Sequence, residues 1–156
     1  MRVVAALSLA LVAATVAACD PTPPSGVDKA VLDEAVARAI GSPSTCVMVA
    51  ENRGKLVYRY GGHTVCARSI NACDAPGPTT VTVQLDAARM GTVRTASCDT
   101  ADQASRGVAW ASAPLPVLTG KADRKMAYAA FMESDNALSG REAKLRLEAA
   151  FAKVGF

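Results

Sequence analysis

Two amphipathic helices flank a series of strand-like segments, and this order restricts the folds that the chain can adopt. Apolar residues recur with helical spacing over residues 27–40, where Asp28 can cap the first turn. A second helix is predicted over residues 140–154, directly after the capping-box sequence Ser139-Gly-Arg-Glu142. An antiparallel sheet with both terminal helices packed on one face satisfies this order most simply. The predicted fold class is therefore α+β.

The segments between these helices predict an antiparallel sheet of about four to five strands. Apolar and polar residues alternate in them, and turn residues such as Asn52-Arg53-Gly54 separate the first two. Tyr58 is expected to share one face of its strand with Leu56, and Trp110 is expected in the core. Residues 79–90 begin with alternation and continue with helical spacing, so helix and strand both remain open there, with a short helix favoured. The predicted strands are residues 45–51, 55–61, 92–97, 107–113 and 125–133.

The N-terminal residues have the layout of an export signal. Arg2 gives a short positive region, an apolar run follows it, and small residues precede Cys19. The apolar run is too short and too rich in alanine to span a bilayer comfortably. Residues 1–18 are therefore predicted to be a signal peptide, and the rest of the chain is expected in an oxidising compartment.

The end of this signal, Val16-Ala17-Ala18-Cys19, resembles the lipobox of bacterial lipoproteins. The resemblance implies that the Cys19 thiol receives a diacylglycerol, that cleavage occurs before Cys19, and that its new amine is acylated, for example with palmitate. It also implies that the lipid bilayer is a partner, at the periplasmic face of a membrane. Asp20 resembles the residue that retains lipoproteins of enteric bacteria at the inner membrane, so that membrane is favoured. The alternative is an ordinary secretory signal cut near Ala18, which would leave a free thiol.

A short proline-rich segment follows Cys19. Residues 20–26 contain three prolines. Prolines favour the extended polyproline II conformation, and this segment would hold the folded part roughly 20 Å from the bilayer. The predicted organisation is a signal peptide at 1–18, a lipidated cysteine and spacer at 19–26, and a single α+β domain at 27–156.

Four further cysteines lie in the middle of the predicted domain: Cys46, Cys66, Cys73 and Cys98. An even number of cysteines in an exported protein predicts disulfides, and the spacing leaves every pairing open. The alternative is a zinc site formed by His63 with Cys66, Cys73 and Cys98. Structural zinc sites usually contain two closely spaced cysteines, and the chain has no such pair, so two disulfides are favoured. No metal and no cofactor are predicted.

Composition and charge exclude several functional classes. Hydrophobic residues make up 51% of the chain and charged residues 20%, which excludes a disordered chain. The net charge of +3 gives little basis for nucleic-acid binding, so no nucleic-acid partner is predicted. Scattered arginines usually serve only to solvate a surface, but five of them raise the hypothesis of a basic face towards anionic lipid or a cell-wall polymer. These are Arg53, Arg59, Arg68, Arg94 and Arg106.

The order of elements over residues 27–61 and 105–155 resembles the α/β half of the serine β-lactamase and penicillin-binding family, where the first and last helices pack together on an antiparallel sheet. The chemistry of that family needs a serine followed three residues later by a lysine, and the chain contains no Ser-x-x-Lys. Ala72 stands at that position after Ser69. Ser134-Asp135-Asn136 spells the family's second motif but follows the last predicted strand, and Lys-Thr-Gly is missing. The resemblance therefore implies a diverged, inactive relative.

Any other nucleophilic triad must use His63, because it is the only histidine in the chain. Ser69 and Asp74 are its nearest candidate partners in sequence, so His63 and Ser69 are the candidate catalytic residues of a hydrolase. A solvated loop histidine is the more common role. The sequence thus favours a non-catalytic, membrane-tethered periplasmic lipoprotein with a binding or envelope-structural role, whose partner is an envelope protein or the cell wall. The alternatives are the inactive β-lactamase relative and the hydrolase using His63.

Overall fold

The computed structural model describes residues 20–99, 106–116 and 125–156. The predicted signal peptide at 1–18 and the predicted lipidation site, Cys19, lie outside the described residues. The helices are α1 Lys29–Ile40, α2 His63–Cys66, α3 Val81–Arg89 and α4 Gly140–Lys153. The strands are β1 Ser44–Glu51, β2 Leu56–Tyr60, β3 Ile70–Asn71, β4 Pro78–Thr79, β5 Arg94–Asp99, β6 Gly107–Pro114 and β7 Met126–Ser134.

Five of the strands form one antiparallel sheet in the order β2-β1-β7-β6-β5. The first strand therefore pairs with the last one, and their register runs from Ser44 opposite Glu133 to Glu51 opposite Met126. The remaining strands, β3 and β4, pair only with each other. The predicted α+β class with an antiparallel sheet is confirmed.

The two terminal helices cover one face of this sheet, as predicted. The Asp28 carboxylate caps α1 by accepting from the backbone amides of Ala30 and Val31, and Ser139 Oγ caps α4 by accepting from the amide of Glu142. Both helices direct large side chains at the sheet because their apolar residues recur every three to four positions. The core on this face includes Leu32, Val36, Val49, Tyr58, Tyr128, Leu147 and Phe151.

Two tyrosines of the sheet form hydrogen bonds to these helices through their hydroxyl groups. Tyr58 donates to Asp33 Oδ1 on α1 at 2.9 Å, and Tyr128 donates to Glu148 Oε1 on α4 at 3.2 Å. Burial is the main cause that raises the pKa of both phenols, and the neighbouring carboxylates raise it further. Both hydroxyls therefore stay protonated and serve as hydrogen-bond donors.

The opposite face of the sheet carries a third layer that the sequence did not predict. It consists of α2, α3 and the short β3–β4 pair. Thr80 Oγ1 accepts from the amide of Val83 and starts α3, which decides the ambiguous residues 79–90 in favour of a helix. One face of α3 is buried against the sheet. The core between them includes Cys46, Cys66, Val81, Leu85, Ala88, Trp110 and Phe131.

A β-bulge in β2 changes which side chains share a face. The register between β1 and β2 shifts between Val49 and Ala50. Val57 and Tyr58 consequently both reach the core under α1 and α4, while Leu56 packs in the other core. The prediction that Leu56 shares a face with Tyr58 is therefore wrong, because strict alternation fails where an extra residue enters a strand.

Gly140 sets how closely α4 approaches the sheet. A Cβ atom on Gly140 would lie 2.5 Å from the carbonyl oxygen of Ala96 and 2.6 Å from that of Trp110. Both atoms belong to the backbone and cannot move aside as a flexible side chain could. The start of α4 thus rests directly on the backbones of β5 and β6, a contact that only glycine permits.

Candidate functional site

His63, the candidate catalytic histidine, is the first residue of α2 and is exposed. Gly62 caps this short helix through its extended backbone rather than through a side chain. The side chain of Arg59 on the preceding strand contacts the ring of His63, with Arg59 Nη1 3.2 Å from His63 Nδ1. The ring of His63 is therefore held against a guanidinium group.

Arg59 connects His63 to the start of the described chain. Its second terminal nitrogen, Nη2, donates to Asp20 Oδ1 at 2.6 Å. The Arg59 side chain is only 10% exposed, whereas that of Asp20 is 70% exposed, so the guanidinium is fixed in the fold and the carboxylate reaches to it from outside. We refer to Asp20, Arg59 and His63 as the N-terminal latch.

The proline-rich segment lies against the domain instead of extending away from it. Pro21, Pro23 and Pro24 are half-buried, and the amide of Val27 donates to the carbonyl of Pro24 at 3.1 Å. Val27 itself packs against the core under α1 and α4. Together with the ion pair at Asp20, these contacts remove the stand-off of roughly 20 Å that a free spacer would give. The sequence did not predict that the segment packs on the domain, because a high proline content indicates a stiff chain but not what that chain contacts.

The latch does not have the geometry of a nucleophilic triad. In such a triad the histidine donates Nδ1–H to a carboxylate and faces the nucleophile with its other nitrogen. Here Nδ1 faces a guanidinium donor, so the hydrogen bond has the opposite polarity. Ser69 is exposed, and within the described residues no hydrogen bond joins it to His63. The structure therefore brings His63 to Arg59 and Asp20, and does not join it to Ser69.

The four cysteines of the domain form two pairs at disulfide distance. Cys46 of β1 bonds Cys66 of α2, with their Cα atoms 5.2 Å apart, and Cys73 bonds Cys98 of β5, with their Cα atoms 5.3 Å apart. The predicted disulfides are thus present, and their pairing, which the spacing left open, is assigned. The pairing also occupies every cysteine of the alternative zinc set. Within the described residues, no group of three or more His, Cys, Asp or Glu side chains could hold a metal ion.

The second disulfide lies beside a cluster built around Arg94. The Arg94 guanidinium binds the carboxylate of Asp74 through two nitrogens and also donates to the carbonyl of Ala72. This bidentate hydrogen bonding lowers the pKa of Asp74 below its ordinary value. Arg94 Cζ lies 5.6 Å from the ring centroid of Trp110, whose Nε1 donates to the carbonyl of Asn71 at 2.7 Å. The predicted core position of Trp110 is confirmed, and Arg94 has a structural role.

The hypothesis of a basic face is not supported by the placement of the arginines. Four of the five that suggested it pair with carboxylates, which offsets their charge locally. The pairs are Arg59–Asp20, Arg68–Glu133, Arg94–Asp74 and Arg106–Asp135.

Two open grooves are described on the surface. One, of about 410 Å³, lies between α1 and α4 and is lined by alanines together with Arg38, Arg146 and Lys153. The other, of about 390 Å³, lies at the end of β5 and includes Asp99 and Ser139. Neither groove is lined by His63 or Ser69, so neither forms a substrate pocket around the candidate catalytic residues.

Comparison with known proteins adds no assignment. Among residues 20–99, 106–116 and 125–156, no helix has the length and apolar character needed to cross a bilayer. No protein-family model matches the chain, and no curated protein matches its sequence significantly.

Proposed function

We propose that the chain is a lipid-anchored protein at the periplasmic face of a bacterial membrane, where it acts without catalysis by binding or as an envelope component. The observation that carries this proposal is the pair of disulfides, Cys46–Cys66 and Cys73–Cys98. Disulfides form and persist in oxidising compartments, which supports export. The signal-like sequence over residues 1–18 provides an independent reason for the same location.

The lipobox-like sequence and the cysteine pairing together support lipidation of the fifth cysteine. The other four cysteines bond to one another in two pairs, so neither of the described disulfides uses Cys19. A single acyl chain binds membranes only marginally, whereas two or three chains hold a protein durably. Diacylglycerol on the Cys19 thiol plus an acyl chain on its amine would therefore anchor the domain firmly.

The geometry around His63 supports a role without catalysis. Its Nδ1 faces Arg59, and within the described residues no hydrogen bond connects it to Ser69 or to a carboxylate. A general base needs a partner that orients it and a nucleophile within hydrogen-bond reach. A binding or structural role requires neither.

Replacement of Cys19 by alanine tests the lipid anchor. We expect the wild-type protein in the membrane fraction, extractable only by detergent. The Cys19→Ala protein, exported behind an ordinary cleavable signal so that residues 1–18 are removed, should be in the soluble periplasmic fraction, because it lacks the acylated thiol. A density gradient that separates the two membranes tests the inner-membrane location suggested by Asp20. The matched control is the double variant Cys73→Ala/Cys98→Ala, which also removes cysteines but should remain in the membrane. A Cys19→Ala protein that still requires detergent for extraction would refute the anchor.

A diverged relative of the penicillin-recognising enzymes is the second candidate. The packing of α1 and α4 on one face of an antiparallel sheet favours it, since the resemblance implies this arrangement. We expect no covalent labelling of the purified protein by a fluorescent penicillin, because no lysine follows any serine at the required spacing. Labelling that disappears in Ser69→Ala would instead identify an active member of that family.

A further inference from the structure

The N-terminal latch fixes the point at which a lipid on Cys19 would leave the domain. Asp20 follows Cys19 directly, and consecutive Cα atoms lie about 3.8 Å apart across a trans peptide bond. The Asp20 carboxylate is in turn held 2.6 Å from Arg59 Nη2. Because the Arg59 side chain is nearly buried, the latch positions Asp20, the residue that follows Cys19 in the sequence, next to the edge strand β2.

We propose that this latch makes β2 and the start of α2 the membrane-contacting edge of the domain, resting on the headgroups of the bilayer that holds the anchor. The inference rests on the proposed lipid anchor at Cys19. Acyl chains that leave the protein beside Arg59 and enter a bilayer must bring that surface to the interface. The exposed side chains of His63 and Thr64 at the start of α2 can donate hydrogen bonds to the phosphate oxygens of lipid headgroups, so the chemistry of this edge fits a lipid surface.

The proline-rich segment leaves little freedom for another orientation. An unattached segment of this length would let the domain tumble at a distance from the membrane. Pro21, Pro23 and Pro24 are half-buried, and Val27 is anchored in the core. The chain is thus attached at both ends of the segment, at Asp20 and at Val27, so the lipid and the domain should move as one body.

The order of the sheet then determines which surface faces away from the membrane. Strands β2 and β5 are opposite edges of the five-stranded sheet, which places them about 19 Å apart at the usual strand spacing. The polar groove at the end of β5, which includes Asp99 and Ser139, is therefore on the membrane-distal side. A periplasmic partner would have free access to that groove.

The single histidine provides a native probe of this arrangement. We would reconstitute the lipidated protein into vesicles of phosphatidylethanolamine and phosphatidylglycerol and follow the modification of His63 by diethylpyrocarbonate with peptide mass spectrometry. Each rate is divided by the rate for the same protein carrying Cys19→Ala, mixed with the same vesicles, which cancels the intrinsic reactivity of the ring. We expect a several-fold slower reaction at His63 in the anchored protein, and an unchanged rate of carbodiimide labelling at Asp99.

Breaking the latch should abolish this protection while leaving the anchor in place. Asp20→Ala removes the carboxylate without touching His63, so the His63 rate should return to that of the soluble form. The matched control, Asp86→Ala, breaks an exposed ion pair with Arg89 on α3 and should retain the protection.

The possible outcomes separate this inference from the proposed anchor. A membrane-bound protein whose His63 reacts as fast as in the soluble form overturns the inference alone, as does full protection in Asp20→Ala. A wild-type protein that lacks the mass of the lipid and does not bind vesicles overturns the anchor, and the inference with it.

Discussion

Replacing Cys46 and Cys66 by alanine is expected to lower the free energy of unfolding by about 3–5 kcal/mol, more than the same change at Cys73 and Cys98. The two bonds close loops with sequence separations of 20 and 25 residues, so the chain-entropy contribution is about 3 kcal/mol for both. The larger loss expected for Cys46 and Cys66 comes from their deeper burial. Cys46 is 0% and Cys66 3% exposed in the core beneath α3, and alanine leaves a cavity there.

Urea unfolding followed by far-ultraviolet circular dichroism measures this difference, with the Cys73→Ala/Cys98→Ala protein as the matched comparison. Cys73 and Cys98 are half-buried, so alanine should cost little beyond the loss of the cross-link. Under native conditions, mild reductant should also open the Cys73–Cys98 bond first, because solvent reaches it more easily. Equal losses of stability in the two double variants would show that packing around Cys46 adds nothing.

The helices and strands with long periodic patterns could be predicted from the sequence, whereas the latch could not. Asp28 and Ser139 cap helices through local contacts, and such contacts leave a pattern in neighbouring residues. Asp20 and Arg59 are 39 residues apart, and their pairing depends on the whole path of the chain around β2. No local pattern encodes that distance.

The third layer was missed for a related reason. The buried positions of α3 are few, and the helix is only nine residues long, so its pattern resembles that of a strand at the start. Val81, Leu85 and Ala88 gain their burial from the sheet beneath them, and tertiary packing decides such short segments. The pairing of Cys46 with Cys66 likewise depends on α2 packing against β1, a contact made only in the folded chain.

Truncation of Trp110 to alanine is expected to cost about 3–5 kcal/mol of unfolding free energy. The ring is 1% exposed and packs against Phe131, with ring centroids 5.3 Å apart. The residues around it in this core include Ala127 and Ala129, whose small side chains cannot expand into the space that the indole leaves. The loss should therefore combine the transfer free energy of the ring with a sizeable cavity.

The indole also has two polar neighbours, and a second variant separates their contribution from that of volume. Trp110→Phe keeps most of the ring but loses the hydrogen bond from Nε1 to the carbonyl of Asn71, so we expect a cost of about 1–2 kcal/mol. Trp110→Phe keeps an aromatic ring for the Arg94 guanidinium to contact, whereas Trp110→Ala removes it. Circular dichroism must report the unfolding, since Trp110 is the only tryptophan.

The control is Val83→Ala on α3, which should cost less than about 0.5 kcal/mol because Val83 is 57% exposed. If Trp110→Phe were as damaging as Trp110→Ala, the hydrogen bond to Asn71 would outweigh the packing. The role of Trp110 would then be to hold the segment between α2 and β4 on the sheet. If both variants cost less than about 1 kcal/mol, the second core would be loose enough to collapse around the gap, contrary to its close packing. A large cost for alanine and a small one for phenylalanine would instead show that ring volume is what holds the third layer to the sheet.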